Sequence, residues 1–346
     1  MLTTAEGGAE PRVVISLSAV VVAIDEDKPL VMTVRQTGGP DALPYGPFDP
    51  ADHRTFELGV RDFVERQTGL ALGYVEQLYT FGDRGREAPS ARLHGGAAED
   101  RVVSVGYLAL VRRADDLSAA GAAWRNWYGF FPWEDWRKGE PAAIAEALLP
   151  GLVAWRDRAA SAHEGADRTR RIRVAFGLDD GGWREERTLD RYELMYEAGL
   201  APEAARDRAA AGLPAPRGKA APPGLGGLEL ASDHRRILAT AMSRLRGKVK
   251  YRPIIFDACE ERFTLTDLQR AVEAVCGFAL HKPNFRRMAV ASGLVSDTGD
   301  TRAQTGGRPA ALFTFQSEAR GAVPPALGLA VPRLGVSPDA AGLKLS

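Results

Sequence analysis

This 346-residue chain lacks three things that would have narrowed its role quickly: cysteines in number, a net charge, and a long apolar run. Its two cysteines, Cys259 and Cys276, have no Cys/His pairs near them. That pattern excludes a zinc site and fits a reducing compartment. Lys+Arg and Asp+Glu both total 45, so the formal net charge is zero and only its distribution can inform. The one candidate for a targeting segment is Val13–Ile24. Only Arg12 is basic before it, and Asp25, Glu26 and Asp27 follow where a small-residue cleavage site belongs. Spanning a bilayer takes roughly 20 apolar residues, more than this run offers. It reads as a buried strand, and the chain as soluble and cytoplasmic.

What is present is a succession of mixed elements. "VVISLSAVVVAI" and "LVMTVR", joined by "DEDKP", predict a hairpin. The Gly/Pro-rich loop "TGGPDALPYGPFDPADH" follows. In "RTFELGVRDFVERQTG" the residues Phe56, Val60, Phe63 and Val64 recur at helical spacing, and Gly69 suits the stop. "YVEQLYTFG" and "EDRVVSVGYLALVRRAD" predict strands around the flexible loop "DRGREAPSARLHGGAA". "PAAIAEALLPGLVAWRDRAASA" is helix-prone, interrupted at Pro150–Gly151. "RRIRVAFGLDDGGWREE" predicts a strand pair, and "LDRYELMYEAGLAPEAARDRA" predicts helix. The mixture implies an α+β layered domain. Residues 209–231 are Ala/Pro/Gly-rich and read as a linker. Residues 317–346 form a Pro/Gly-rich tail, mobile or lying on a partner.

After the linker the charge changes sign. Residues 232–320 hold 15 Lys and Arg against 9 Asp and Glu, a net of +6. "DHRRILATAMSRLRGKV" carries an apolar face. "FTLTDLQRAVEAVCG" opens with Thr264 and has Asp267 three residues on, a capping-box pattern with Asp in place of Glu. In "HKPNFRRMAVASGLV", Pro283 fits the first helical position. Phe285, Met288, Ala289 and Ser292 share its core side, which leaves Asn284, Arg286 and Arg287 outward. "LVSDTGDTRAQTGGRPAALFTF" predicts two strands around a basic loop. Three helices and a hairpin are the order of a winged helix-turn-helix, whose third helix enters the major groove of DNA. Arginine pairs with guanine and asparagine with adenine. The candidate DNA contacts are therefore Lys282, Asn284, Arg286 and Arg287, with Thr298, Arg302 and Arg308 on the wing. Lys248 and Lys250 are further candidates for phosphate.

The N-terminal region resembles a Nudix domain in its opening hairpin, in "LPYGPF", in the helix ending "ERQTGL", and in "YVEQLYTFGDRGR". A Nudix hydrolase needs Arg-Glu-x-x-Glu-Glu on that helix, because carboxylates at i, i+3 and i+4 share a face and bind Mg²⁺. Here the positions hold Arg61, Asp62, Glu65 and Arg66, followed by Gln67. A cation stands where a ligand belongs, so hydrolysis is expected to be weak or absent, and neither a catalytic set nor a metal site is assigned.

Residues 12–113 and 233–316, above all "KYRPIIFDACEERFTLTDLQRAVEAVCGFALHKPNFRRMAVASGLV" and "GGRPAALFTF", resemble the Nudix-related transcriptional regulators of NAD metabolism, the NrtR family. The resemblance implies a Nudix-like α/β/α sandwich with a helical extension over 10–208, and a winged helix over 232–316. It also implies a cytoplasmic homodimeric repressor of NAD-biosynthesis genes on a palindromic double-stranded DNA operator. No cofactor would be required. ADP-ribose or another NAD-related nucleotide would be the effector, with Arg35, Gln77, Tyr79, Arg84 and Arg101 as its candidate contacts. Two alternatives stand beside it: an active Mg²⁺-dependent Nudix hydrolase of ADP-ribose-type compounds, and a protein-interaction adaptor.

Overall fold

β-Branched residues facing both ways make Val13–Asp25 (β1) the centre of a mixed sheet, as expected of a strand covered on both sides. In this computed structural model the described residues are 12–83, 85–86, 100–113, 117, 121–178, 181–218, 220–222, 224–303, 309–316, 332 and 334–336. β1 pairs antiparallel with Lys28–Val34 (β2) at one end and with Tyr45–Pro47 (β3) at the other. Tyr74–Phe81 (β4) lies antiparallel to Arg101–Leu110 (β5), and β5 runs parallel to β1 from Val13↔Arg101 to Val22↔Leu110. Ala122–Asn126 (β6) closes the far edge on β2, giving the order β4-β5-β1-β2-β6. β6 is absent from the sequence reading because it is short, lies at an edge and lacks a buried face.

Phe56–Thr68 (α1) covers one face of the sheet. Its Val60, Phe63 and Val64 pack on Leu17, Ala19 and Val21 of β1. Thr55 caps its start and Gly69, in the left-handed region, ends it. A helical layer then forms from Leu149–Asp157 (α2), Ala162–Phe176 (α3), Thr188–Ala198 (α4) and Pro202–Ala210 (α5). His234–Val249 (α6) crosses the second face of the sheet, against β1, β4 and β5, and packs on α4. Gly106 permits this approach: a Cβ there would come within 3.1 Å of Ile237 Cγ2. The α/β/α sandwich is thus completed by a helix that the sequence assigns to the C-terminal domain.

Leu265–Cys276 (α7), Lys282–Ala291 (α8), and the hairpin of Val295–Arg302 (β8) and Ala310–Phe315 (β9) complete the chain's second half. Arg262–Phe263 (β7) adds a third strand in the order β7-β9-β8. α6 packs on α7 as well as on the sheet, and one apolar core runs from the sheet through the helical layer into α7 and α8.

Four expectations change. The strand pair at "RRIRVAFG" is instead the end of α3. Ile172, Ala175 and Phe176 are buried at helical spacing, Ser161 caps the start, and Gly177 adopts φ +63° at the stop. The helix-prone run is not broken at Pro150–Gly151, because a π-helical turn over Ile144–Leu148 leads directly into α2 with Pro150 in its first turn. Residues 209–231 do not hang free. Leu230 is fully buried, and Ala221, Leu228 and Ala231 donate backbone hydrogen bonds to Leu200, Gly129 and Asp41. The described part of the tail lies on the chain itself, with the Leu334 carbonyl accepting from Trp183 N–H at 2.9 Å and Val336 buried.

Candidate nucleic-acid interface and ligand-binding face

The outward face of α8 is set by what pins its inner face. Phe285 and Ala289 are buried, Met288 and Ser292 are half-buried, and Lys282, Asn284, Arg286, Arg287 and Val290 are exposed. Pro283 sits in the first turn, where a missing N–H is harmless. The helix beneath starts with a complete capping box: Thr264 Oγ1 accepts from Asp267 N–H at 3.1 Å, and the Asp267 carboxylate accepts from Thr264 N–H at 2.9 Å. Arg286 donates to Thr266 Oγ1 at 3.2 Å, which steers it along the first turn of α7. Among the described residues no carboxylate pairs with Lys282, Arg286 or Arg287. Their positive charge is unneutralised among the described residues.

The wing is arranged differently. Thr298 donates its hydroxyl to the Leu312 carbonyl at 3.0 Å, so it serves the hairpin. Arg302 binds Asp267 at 3.0 Å and the Arg262 carbonyl at 3.1 Å, which ties the wing to the start of α7. Arg308 lies outside the described residues. Lys248 and Lys250 are engaged within the chain. Lys248 is bound to Glu76 and Tyr74, and Lys250 to Glu185 and Glu186.

On α1, Glu57 and Asp62 are held by internal cations. Arg61 holds Glu57 at 2.8 Å and also binds the Gly73 carbonyl at 3.0 Å. Asp62 lies between Arg66 at 2.6 Å and His53 Nε2 at 3.0 Å. Glu65 has no side-chain partner among the described residues. Gln67 is used structurally: it accepts from Tyr45 N–H at 3.2 Å and donates to Tyr45 O at 2.6 Å. Among the described residues no group of three or more His, Cys, Asp or Glu side chains is arranged to hold a metal ion.

The expected effector contacts do not all converge. Gln77, Tyr79 and Arg101 lie at the β4–β5 edge. Gln77 Oε1 accepts from Tyr107 Oη at 3.2 Å, Tyr79 is 64 % exposed with its ring edge-on to Phe81, and Arg101 donates to the Gly82 carbonyl. Tyr107 packs in the core beneath α1, and its hydroxyl pKa is raised by burial, then by the charge of Glu57. Arg35 follows β2, separated from β5 by β1, and is not brought to that group. Arg84 lies outside the described residues.

Sequence reasoning missed the residues that join the two faces through α6. At its first turn His234 Nδ1 accepts the Leu43 N–H at 3.1 Å, inside "LPYG", and meets the Tyr45 ring edge-on. Burial, then the nearby charge of Arg206, lowers the His234 pKa to about 3, so the ring is neutral. Beside it Arg236 binds Glu193 at 2.6 Å, and Arg86 bridges Glu193 and Asp233 at 3.1 and 3.2 Å. Burial lifts Asp233 to about 7 against the pull of those two arginines. In the last turns of the same helix, Arg246 reaches Glu134 at 2.5 Å and the Val275 carbonyl, at the end of α7, at 2.9 Å. Glu134 also takes two bonds from Arg191, and all three side chains are fully buried. These contacts cross up to 191 residues of sequence, so no local spacing announces them.

The architecture is that of a Nudix-like α/β/α sandwich joined to a winged helix-turn-helix domain. Residues 255–315 match the NrtR DNA-binding winged helix domain. A curated relative, the ADPR-responsive transcriptional repressor NtrR of Acinetobacter baylyi, is 39 % identical over 88 residues. That match covers 25 % of this chain and 35 % of the relative, so the chain spans about a third of the protein it matches. The crystal structure of Shewanella oneidensis NrtR complexed with a 27mer DNA aligns over 88 % of this chain and 95 % of its own, with a TM-score of 0.50 and 19 % identity. The same protein crystallised alone aligns over 89 % and 96 %, again with a TM-score of 0.50. At that identity the structures establish a shared fold.

Proposed function

We propose that this protein is a nucleotide-responsive, DNA-binding transcriptional repressor that acts as a homodimer on a palindromic operator near NAD-biosynthesis genes. The observation that carries the reading is the face of α8. Lys282, Asn284, Arg286 and Arg287 stand exposed on one helix without carboxylate partners, in a segment that matches the NrtR DNA-binding winged helix domain. Unpaired arginines at the start of a third helix suit guanine edges and phosphate, and Asn284 suits adenine. On the wing, Arg302 reaches DNA by exchanging Asp267 for phosphate, with Thr298 shaping the hairpin and Arg308 as a further contact.

ADP-ribose or another NAD-related nucleotide is the proposed effector. Gln77, Tyr79 and Arg101 are its contacts along the β4–β5 edge; Arg84 is a further candidate contact, and Arg35, which lies beyond β1, is not part of this set. The repressor named above, described as ADPR-responsive, supports this assignment. No cofactor is required in this reading, and the protein works in the cytoplasm. Among the described residues no helix is long and apolar enough to cross a membrane. The Nudix-like domain is proposed to be catalytically degenerate, because Arg66 stands where a Mg²⁺ ligand belongs and itself holds Asp62.

The test is equilibrium binding of the full chain to DNA from upstream of its own operon and of NAD genes, at several salt concentrations, with and without ADP-ribose. The expected result is a sequence preference, a steep salt slope and an affinity that moves with the nucleotide. Binding equal on all sequences, or untouched by replacing Arg286 and Arg287 together, would end the assignment. Incubation with Mg²⁺ and ADP-ribose is expected to release no AMP.

A further inference from the structure

The helical layer contains a cleft of about 680 Å³ that none of the assignments above uses. It lies between α2, α3, α4, α5 and residues 213–218, with Gly85 of the segment after β4 also in its wall, and it shares no lining residue with α8. Clefts of roughly 300–1,000 Å³ are the usual size for small-molecule sites.

Its charges are unevenly matched. Each carboxylate in the wall is already engaged: Glu164 by Arg168 at 2.6 Å, Glu197 by Arg171 in a two-pronged pair, and Asp207 by Arg206 at 2.8 Å together with the Tyr196 hydroxyl at 3.0 Å. Arg171 and Arg206 reach in from outside the lining. Three of the lining arginines are not so matched. Among the described residues Arg158 and Arg217 have no side-chain partner, and Arg208 meets only the Pro214 carbonyl, at 2.6 Å. Three arginines therefore line the cleft with no carboxylate partner among the described residues. The floor is rigid. Trp155 is buried with Arg168 stacked 4.3 Å over its ring, and Tyr196 is covered by Arg86 at 3.7 Å.

We propose that this cleft binds a small organic anion carrying two or more phosphate or carboxylate groups, held by Arg158, Arg208 and Arg217 against the Trp155–Tyr196 floor. Guanidinium groups present paired donors suited to both oxyanions. None of Gln77, Tyr79 and Arg101 lines the cleft, so a ligand here is a second input. Through Tyr196 it touches Arg86, which bridges Glu193 of α4 and Asp233 at the head of α6.

The test is calorimetric titration of the full chain with pyrophosphate and, separately, with citrate, at low and moderate salt. A single site is expected for one of the two probes, weakened by salt, and which probe binds decides between phosphate and carboxylate. Arg158→Ala with Arg217→Ala should weaken that binding about tenfold or more while the melting temperature holds, since both residues are exposed. Arg286→Ala with Arg287→Ala should leave it unchanged. The proposal is overturned if neither probe binds at millimolar concentration, or if binding survives the first pair and is lost with the second. These outcomes are independent of ADP-ribose and of DNA, so failure here leaves the repressor assignment standing, and the reverse also holds.

Discussion

His234 accepts a hydrogen bond from the backbone N–H of Leu43 at 3.1 Å, joining the head of α6 to the "LPYG" loop between β2 and β3. An acceptor nitrogen cannot also carry a proton, so the contact exists only with neutral imidazole. The buried site agrees, having lowered the pKa to about 3.

A pH dependence follows, and its sign is fixed by the direction of the shift. Below the ordinary histidine pKa near 6.5 the unfolded chain takes up a proton that the folded chain refuses until about pH 3. Stability is full above that ordinary value and falls as the pH drops through the window, by up to about 1.4 kcal/mol per unit. Asp233, raised to about 7, works in the opposite sense: its contribution is lost as the pH rises from the usual carboxylate range toward 7. The two partly cancel in the native protein, so the difference between variants is the measurement. His234→Asn keeps an acceptor near Leu43 and removes the titration. Its urea midpoint, followed from pH 7 to 4, should fall less steeply than that of the native chain. Parallel curves would show that His234 has no part in the acid limb.

Glu134 is the second buried relationship with a measurable consequence. It is the counter-charge for both Arg191 and Arg246 in a site without solvent. The two arginines hold its carboxyl pKa below the ordinary value despite the burial that opposes them. Glu134→Gln leaves two cations facing each other and should destabilise by about 3–5 kcal/mol, read from chemical denaturation. Glu134→Asp keeps the charge but shortens the reach, and should recover part of the loss.

Much of this was legible in sequence, for local reasons. The opening hairpin, α1 with its Gly69 stop, the Thr264–Asp267 cap and the buried face of α8 all follow from spacings within a dozen residues. The strand–helix confusion at Ile172–Phe176 arose because β-branched and aromatic residues suit either element, and the Ser161 start was not weighed against them. What no spacing reveals is α6 serving two domains at once, or Arg246 reaching the end of α7. The exposed cations of α8 were legible because a periodic helix shows its outer face. The engagement of Arg302 by Asp267 was not, since it depends on how the wing folds back.

Gly277 tests whether the anchorage between α7 and the sandwich matters to the DNA-binding half. It ends α7 with φ +81°, and its backbone packs against the Glu134 carbonyl, Arg246 and Tyr128. Gly277→Ala introduces a Cβ that overlaps all three and also strains the backbone. The expected outcome is a lowered melting temperature, with faster amide exchange at the end of α7 and at the turn over Pro132–Glu134. Exchange unchanged at both places would mean that the contact is incidental.

Arg287 offers the sharpest test of the recognition helix. Arg286 is partly held by Thr266, whereas Arg287 has no partner among the described residues and shares the outer face with Asn284, three positions earlier. Arg287→Ala should weaken binding to the preferred sequence by about 1–3 kcal/mol while changing binding to unrelated DNA much less. Lys282→Ala should weaken both alike and lower the salt slope by about one, as expected of a phosphate contact. The two variants, titrated on matched and scrambled duplexes over a salt series, separate base reading from charge. If Arg287→Ala instead reproduces the uniform loss predicted for Lys282→Ala, then Arg287 grips only the backbone, and sequence reading passes to Asn284 and Arg286.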